Sequence, residues 1–247
     1  MRYFIEIGYN GKHFHGWQIQ PNAQSVQEIM EHTMTTVFRE EIKLIGAGRT
    51  DTGVHAKQFF AHFDSDVLTD IPNLIFKLNS FLPKQIAVYS IFQVQNDAHA
   101  RFDATERAYQ YNIIFRKNPF LKDFSYLVHQ SPNIDLMNEA AKSLLNYTDF
   151  QCFSRSKSDV KTYNCKIREA IWVEKNDQLL FTIAADRFLR NMVRAIVGTL
   201  LEIGYEKISL SEFLEIIDSK DRKRAGASAP AHGLSLTKIK YPDRIKK

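Results

Sequence analysis

Strand-like and helix-like periodicities follow one another through this chain in a single order, twice over, and that repetition limits the folds open to it more than any one residue does. In residues 1–100 the order is strand 2–8, helix 25–40, strand 42–46, strand 54–63, helix 71–81 and strand 86–95. Residues 101–247 repeat it: strand 107–116, helix 135–146, strand 166–175, strand 179–185, helix 188–203, an inserted helix 209–218 and strand 234–241. The distinction rests on apolar side chains recurring every second residue in a strand and every three to four in a helix. Ser25-Val26-Gln27-Glu28 has the form of a capping box, whose hydroxyl and carboxylate serve amides that the first turn leaves unpaired. Asn176-Asp177, between two strand-like runs, predicts a hairpin turn. Each half is therefore expected to be a β-α-β-β-α-β, ferredoxin-like unit. The expected fold class is α+β, with two such units side by side, a mainly antiparallel mixed sheet, helices on one face and a central cleft.

Residues 46–56 read G-A-G-R-T-D-T-G-V-H-A. They put Asp51 in the connection leaving the second strand, among glycines that permit unusual backbone angles and close approach by another molecule. Arg49, two residues earlier, favours the ionised carboxylate, since a nearby guanidinium lowers an aspartate pKa by about 1 to 3 units. Such an acid suits a nucleophile or base. Asp51-Thr52-Gly53 is also the triplet of aspartic proteases, but those enzymes set apolar residues before the aspartate, where this chain has Gly48-Arg49-Thr50.

Charge is unevenly spread. Residues 1–100 hold 8 Lys and Arg against 10 Asp and Glu, and residues 101–247 hold 25 against 18, so the basic half is the second. A basic surface suits a polyanion. In helix 188–203 the apolar residues Phe188, Leu189, Met192, Val193, Ile196 and Val197 form one stripe, with Arg187, Arg190 and Arg194 on an adjoining face. Arg107, Tyr109 and Tyr111 share one face of a strand. Gln151 to Arg155, with Cys152, Phe153 and Ser154 between them, leads into the polar, basic run S-K-S-D-V-K and reads as a phosphate-contact loop. K-D-R-K-R (220–224) is a further segment that could add to such a surface, with plain solvated charge as the alternative reading. Cys152 and Cys165 lack the companions of a disulfide framework or a C-x-x-C metal site and are expected to be buried thiols. His13 and His15 lack a third ligand at metal-like spacing. The opening M-R-Y-F-I-E-I-G alternates as a strand does, unlike a signal peptide, and no apolar run reaches about 18 residues, so a cytoplasmic protein without membrane contact is expected.

The loop G-R-T-D-T-G-V-H-A resembles the catalytic loop of tRNA pseudouridine synthases of the TruA type, in which the aspartate is essential. Four further segments resemble that family in order: Y-N-G-K-H-F-H-G-W-Q-I-Q (9–20), A-R-F-D-A-T-E-R-A-Y-Q-Y (100–111), F-L-R-N-M-V-R-A-I-V-G (188–198) and G-L-S-L-T-K-I-K-Y-P (233–242). The resemblance implies isomerisation of uridine to pseudouridine at tRNA positions 38 to 40, without cofactor or metal, by a homodimer. It implies that Asp51 is catalytic, that Tyr109 stands against the target base and that Arg194 pairs with the aspartate. Arg49 and the segment His99, Ala100, Arg101 and Phe102 then contact tRNA. Whether the carboxylate first meets C1′, C2′ or C6 stays open, and a non-catalytic RNA-binding module or a synthase for another RNA are the rival readings. The chain departs from the family pattern at Thr52, Arg190 and Asn191.

Overall fold

The structure is a computed structural model that describes residues 1–66, 68–155 and 160–247. The chain is α+β, and it divides into unit 1, Met1–Thr105 with Leu236–Lys247, and unit 2, Glu106–Ser235.

Unit 1 runs β1 (Arg2–Tyr9), α1 (Val26–Phe38), β2 (Ile45–Gly46), β3 (His55–Asp64), α2 (Ile71–Phe81) and β4 (Ile86–Gln93). β1 is central, antiparallel to both β3 and β4, and β2 pairs antiparallel with β3. That central place explains why Phe4, Ile5 and Ile7 are wholly buried. Glu6, on the face opposite Ile5 and Ile7, is satisfied from both neighbouring strands by Gln58 Nε2 at 2.8 Å and Ser90 Oγ at 3.0 Å. The capping box forms in both directions at Ser25 and Glu28, and α2 spans the residues expected of it.

The strand expected at 42–46 is reduced to Ile45–Gly46. Leu44 donates its N–H to Glu31 Oε1 at 2.9 Å and its carbonyl accepts from Gln27 Nε2 at 3.0 Å, so α1 takes the groups that a sheet ladder would have used.

Unit 2 runs β5 (Glu106–Ile114), β6 (Tyr126–Leu127), α3 (Ile134–Ser143), β7 (Ile167–Lys175), β8 (Gln178–Ala185), α4 (Met192–Gly204) and α5 (Leu210–Ser219). β9 (Leu234–Lys240) starts in unit 2 and finishes in unit 1. β8 lies antiparallel between β5 and β7. Asn176 and Asp177 both have positive φ, 52° and 59°, as a two-residue hairpin turn of this twist requires. The short β6, parallel to β5, has no counterpart among the expected strands.

Helix α4 begins at Met192, four residues after the expected start. Asn191 has φ 66°, a left-handed conformation that cannot continue a right-handed helix backwards. Arg187 and Arg190 therefore belong to the chain entering α4, and only Arg194 of the three arginines is on the helix.

Candidate active site

Asp51 lies half-buried in the connection between β2 and β3, and the opening segment of the chain braces that connection. Thr50 is buried and its Oγ1 shares a 2.9 Å hydrogen bond with the Tyr9 hydroxyl. Its carbonyl accepts from the Trp17 N–H at 3.4 Å, and the Asp51 carbonyl accepts from the Val54 N–H at 3.1 Å. The Gly53 N–H donates to Phe14 O at 3.3 Å, and the Gly11 N–H donates to His55 Nδ1 at 3.0 Å.

Two glycines make this apposition possible. A Cβ on Gly11 would stand 2.0 Å from Val54 O, and one on Gly16, whose φ is +83°, would stand 2.2 Å from Thr50 O. Trp17 closes the far side by packing on Phe59 at 4.2 Å between ring centroids. Sequence reasoning named the histidines of this segment and missed the residues that brace the acid: Gly11, Gly16, Trp17 and His55. The available signal was the pairing of two glycine-rich motifs, one of which carries His55 two residues after its last glycine.

Arg49 is separated from Asp51 in the chain by the buried Thr50, and its exposed side chain donates from Nε to Gln18 Oε1 at 3.2 Å. It lines a hollow of about 250 Å³ in unit 1 with Gln18, Leu44, Gly48 and Arg101. Nothing lies within 4 Å of where a Gly48 Cβ would be, so the wall is open there. A hollow with two guanidinium groups is chemically suited to an anion such as phosphate. A larger depression, about 510 Å³, sits at the β7–β8 hairpin and includes none of the expected site residues.

Residues 98–103 form a compact turn organised by two histidines. The buried Ala100 donates its N–H to His62 Nδ1 at 3.1 Å, and its carbonyl accepts from the Tyr241 hydroxyl at 2.6 Å. His99 Nδ1 accepts from the N–H groups of Arg101 at 3.1 Å and Phe102 at 3.3 Å, while the His99 N–H donates to Asp103 Oδ2 at 2.7 Å. Both rings must be neutral at Nδ1 to accept these bonds. Burial, and then the charge of Arg2, push the His62 pKa down to about 4 and lower that of His99 as well. The outcome is an exposed pair: Phe102 is 75% accessible and the Arg101 guanidinium lies over its ring at 5.6 Å. Ala100 anchors the turn that presents them.

In unit 2, Tyr109 on β5 is half-buried with its ring edge-on to Phe188 at 5.2 Å. Tyr111 is wholly buried, donates to Pro230 O at 2.9 Å, and has its hydroxyl pKa raised by burial, so it packs as expected. Arg194 is half-buried, and its Nε donates to Ala229 O at 2.7 Å. Cys152, Phe153 and Ser154 are buried, and only Arg155 of that group is exposed, its N–H donating to Arg190 O at 3.0 Å. Of the run that follows, residues 156–159 lie outside the described residues. Burial pushes the thiols of Cys152 and Cys165 up to about 12 each, which makes them inert. In K-D-R-K-R, Lys220 pairs with Asp149 at 3.0 Å and Arg224 with Glu215 at 3.3 Å, whereas Arg222 turns inward against residues 225–228. Solvated charge therefore describes only part of that run. Among the described residues, no cluster of three His, Cys, Asp or Glu side chains is arranged to hold a metal ion, and no helix is long and apolar enough to cross a membrane.

The sequence that builds these arrangements matches a family known from other proteins. A family model described as tRNA pseudouridine synthase matches residues 7–103 and 140–242. The chain is 49% identical over 245 residues to a protein of Parabacteroides distasonis named tRNA pseudouridine synthase A, covering 99% of this chain and 97% of that one. A Bacteroides fragilis protein of the same name is 49% identical over 246 residues, 99% and 98% of the two chains. One from Thermoanaerobacter sp. is 40% identical over 240 residues, 96% and 98% of the two. With the family model covering well over half of the chain and the relatives nearly all of it, the chain belongs to the tRNA pseudouridine synthase family.

Proposed function

We propose that the protein isomerises uridine to pseudouridine in tRNA, at positions 38, 39 and 40 of the anticodon arm, with Asp51 as the catalytic carboxylate. The observation that carries this reading is the bracing of the Asp51 connection by Tyr9, Gly11, Phe14, Gly16 and Trp17, which fixes one half-exposed acid on a rigid base. Preorganisation of this kind is what a displacement at a sugar carbon demands. The names of the relatives support tRNA as the substrate.

The reaction breaks the N1–C1′ bond and joins C5 to C1′ of the same nucleotide, with C5 giving up its proton and N1 gaining one. Substrate and product are isomers, so a carboxylate acting as nucleophile or base meets the demand on the protein. Tyr109 offers its ring to the extruded uracil, and Arg194 takes the role of the arginine that the family resemblance assigns to the acid. Extrusion costs a few kcal/mol, of which aromatic stacking returns about 1–3 and phosphate contacts supply the rest. In this reading Arg49, Arg101, Phe102 and Arg155 touch tRNA with their exposed side chains. His99, Ala100, Cys152, Phe153 and Ser154 hold the backbone that presents them.

The same reading takes each unit as ferredoxin-like, with the Asp51 loop in residues 1–100 and the arginine helix in 101–247. The pairing order β4-β1-β3-β2 in unit 1 supports it. It further takes the protein as a cytoplasmic homodimer that holds one tRNA.

The test is to incubate purified protein with unmodified tRNA and no added metal, then map pseudouridine by chemical modification. Product at positions 38 to 40 is expected. Binding without product leaves an RNA-binding module, and product elsewhere assigns another site. Light scattering reads the dimer.

A further inference from the structure

Helix α4 is laced along one side to the chain that follows α5. The Ala229 N–H donates to Arg194 O at 2.9 Å, and Ala229 O accepts in return from Arg194 Nε at 2.7 Å. The Gly226 N–H donates to Thr199 Oγ1 at 3.0 Å, and Asn191 Nδ2 donates to Ser228 Oγ at 2.6 Å. Gly198 permits the close approach, since a Cβ there would stand 1.8 Å from Ala227 O. Residues 225–229 thus run beside α4 from its entry at Asn191 to Thr199.

Arg222 holds that segment together. Its Nη1 donates to Ala225 O at 3.2 Å and Gly226 O at 3.1 Å, and its Nη2 donates to Ser228 Oγ at 3.0 Å. Three acceptors spread over four residues need donors fixed in one plane, which a guanidinium supplies and an ammonium does not. Ser228 Oγ receives from both Arg222 and Asn191, so the clamp is tied to the entry of α4 as well.

We propose that Arg222 is a positioning residue for Arg194. By fixing residues 225–228 it fixes the Ala229 carbonyl, and by occupying Nε of Arg194 that carbonyl sets the plane of the guanidinium. A planar group held at Nε keeps its two outer nitrogens in constant directions. The inference rests on the reading that Arg194 serves the isomerisation.

The experiment is a double-mutant cycle on the full-length protein, reading single-turnover pseudouridine formation at saturating tRNA, the Kd for tRNA, and thermal unfolding. Arg222→Gln is expected to slow turnover by roughly tenfold or more while shifting Kd by less than about threefold, because small misplacements of reacting groups act on rate. Arg222→Lys recovers only part of the rate. In an Arg194→Met background, Arg222→Gln changes the rate by less than about twofold, the non-additivity expected of residues acting as a unit. Ser228→Ala removes one acceptor from the clamp and shows the same pattern more mildly, and it carries the test if Arg222→Gln does not fold. A folded Arg222 or Ser228 variant with wild-type turnover overturns the inference, as does an equal loss in both backgrounds. Failure of the underlying reading shows earlier and separately, as a wild-type protein without isomerase activity or an Arg194→Met variant with full rate.

Discussion

Gly16 limits the freedom of the Asp51 loop from outside it. Its φ of +83° and the 2.2 Å approach of a would-be Cβ to Thr50 O leave no room for alanine. Gly16→Ala is expected to cost about 1–3 kcal/mol of stability through backbone strain and to slow isomerisation, since Thr50 precedes the acid. Thermal unfolding and single-turnover assays check the two effects. His62 yields a pH prediction. Its folded pKa of about 4 lies below its ordinary value of 6.5, so the unfolded chain takes up a proton that the folded protein refuses. The resulting stability is whole above pH 6.5 and is lost as pH falls toward 4, modulated by the facing Arg2, His99, Asp64 and Asp103. His62→Leu should reduce that slope in denaturant titrations and cost about 1–3 kcal/mol at neutral pH, because it strips the acceptor from the buried Ala100 N–H.

Elements were legible in the sequence where their signals are local. The capping box at Ser25 and Glu28, the hairpin at Asn176-Asp177 and all of α2 depend on neighbours in the chain, and they appear where the sequence sets them. The misses depend on distant partners. The strand before Gly46 is shortened by Gln27 and Glu31 of α1, and the start of α4 is set by Asn191, whose amide reaches Ser228 rather than capping the helix. The candidate site divides in the same way: the Asp51 loop is legible as a motif, whereas its bracing by Gly11 and Gly16 needs the fold. A recurrent device joins helix to strand, with Asn79 of α2 bonding both backbone groups of Val88 and Asn138 of α3 both backbone groups of Trp172. Asn138→Ala removes both bonds at Trp172 and is expected to lower stability by about 1–3 kcal/mol, with turnover at permissive temperature unchanged. Urea unfolding and the same turnover assay read the two quantities.

For the molecule as a whole, residues 101–247 carry a net +7 against −2 in residues 1–100, giving +5, and unit 1, which takes in the basic residues 236–247, carries Asp51 and an arginine-lined hollow. Binding of a tRNA by such a surface releases counterions and weakens as salt rises. Arg101→Ala is expected to lower tRNA affinity at every salt concentration and to reduce the slope of log K against log salt by about one, as loss of one phosphate contact does. An unchanged slope assigns Arg101 to loop structure. Affinity and chemistry separate most cleanly at Asp51. The most direct measurement is single-turnover pseudouridine formation by Asp51→Asn, a substitution that keeps shape and removes charge, at tRNA concentrations that saturate binding. Asp51→Asn is expected to bind tRNA nearly as the wild-type protein does and to form no detectable pseudouridine. Isomerisation by that variant at the wild-type rate contradicts the role of Asp51 as the catalytic carboxylate.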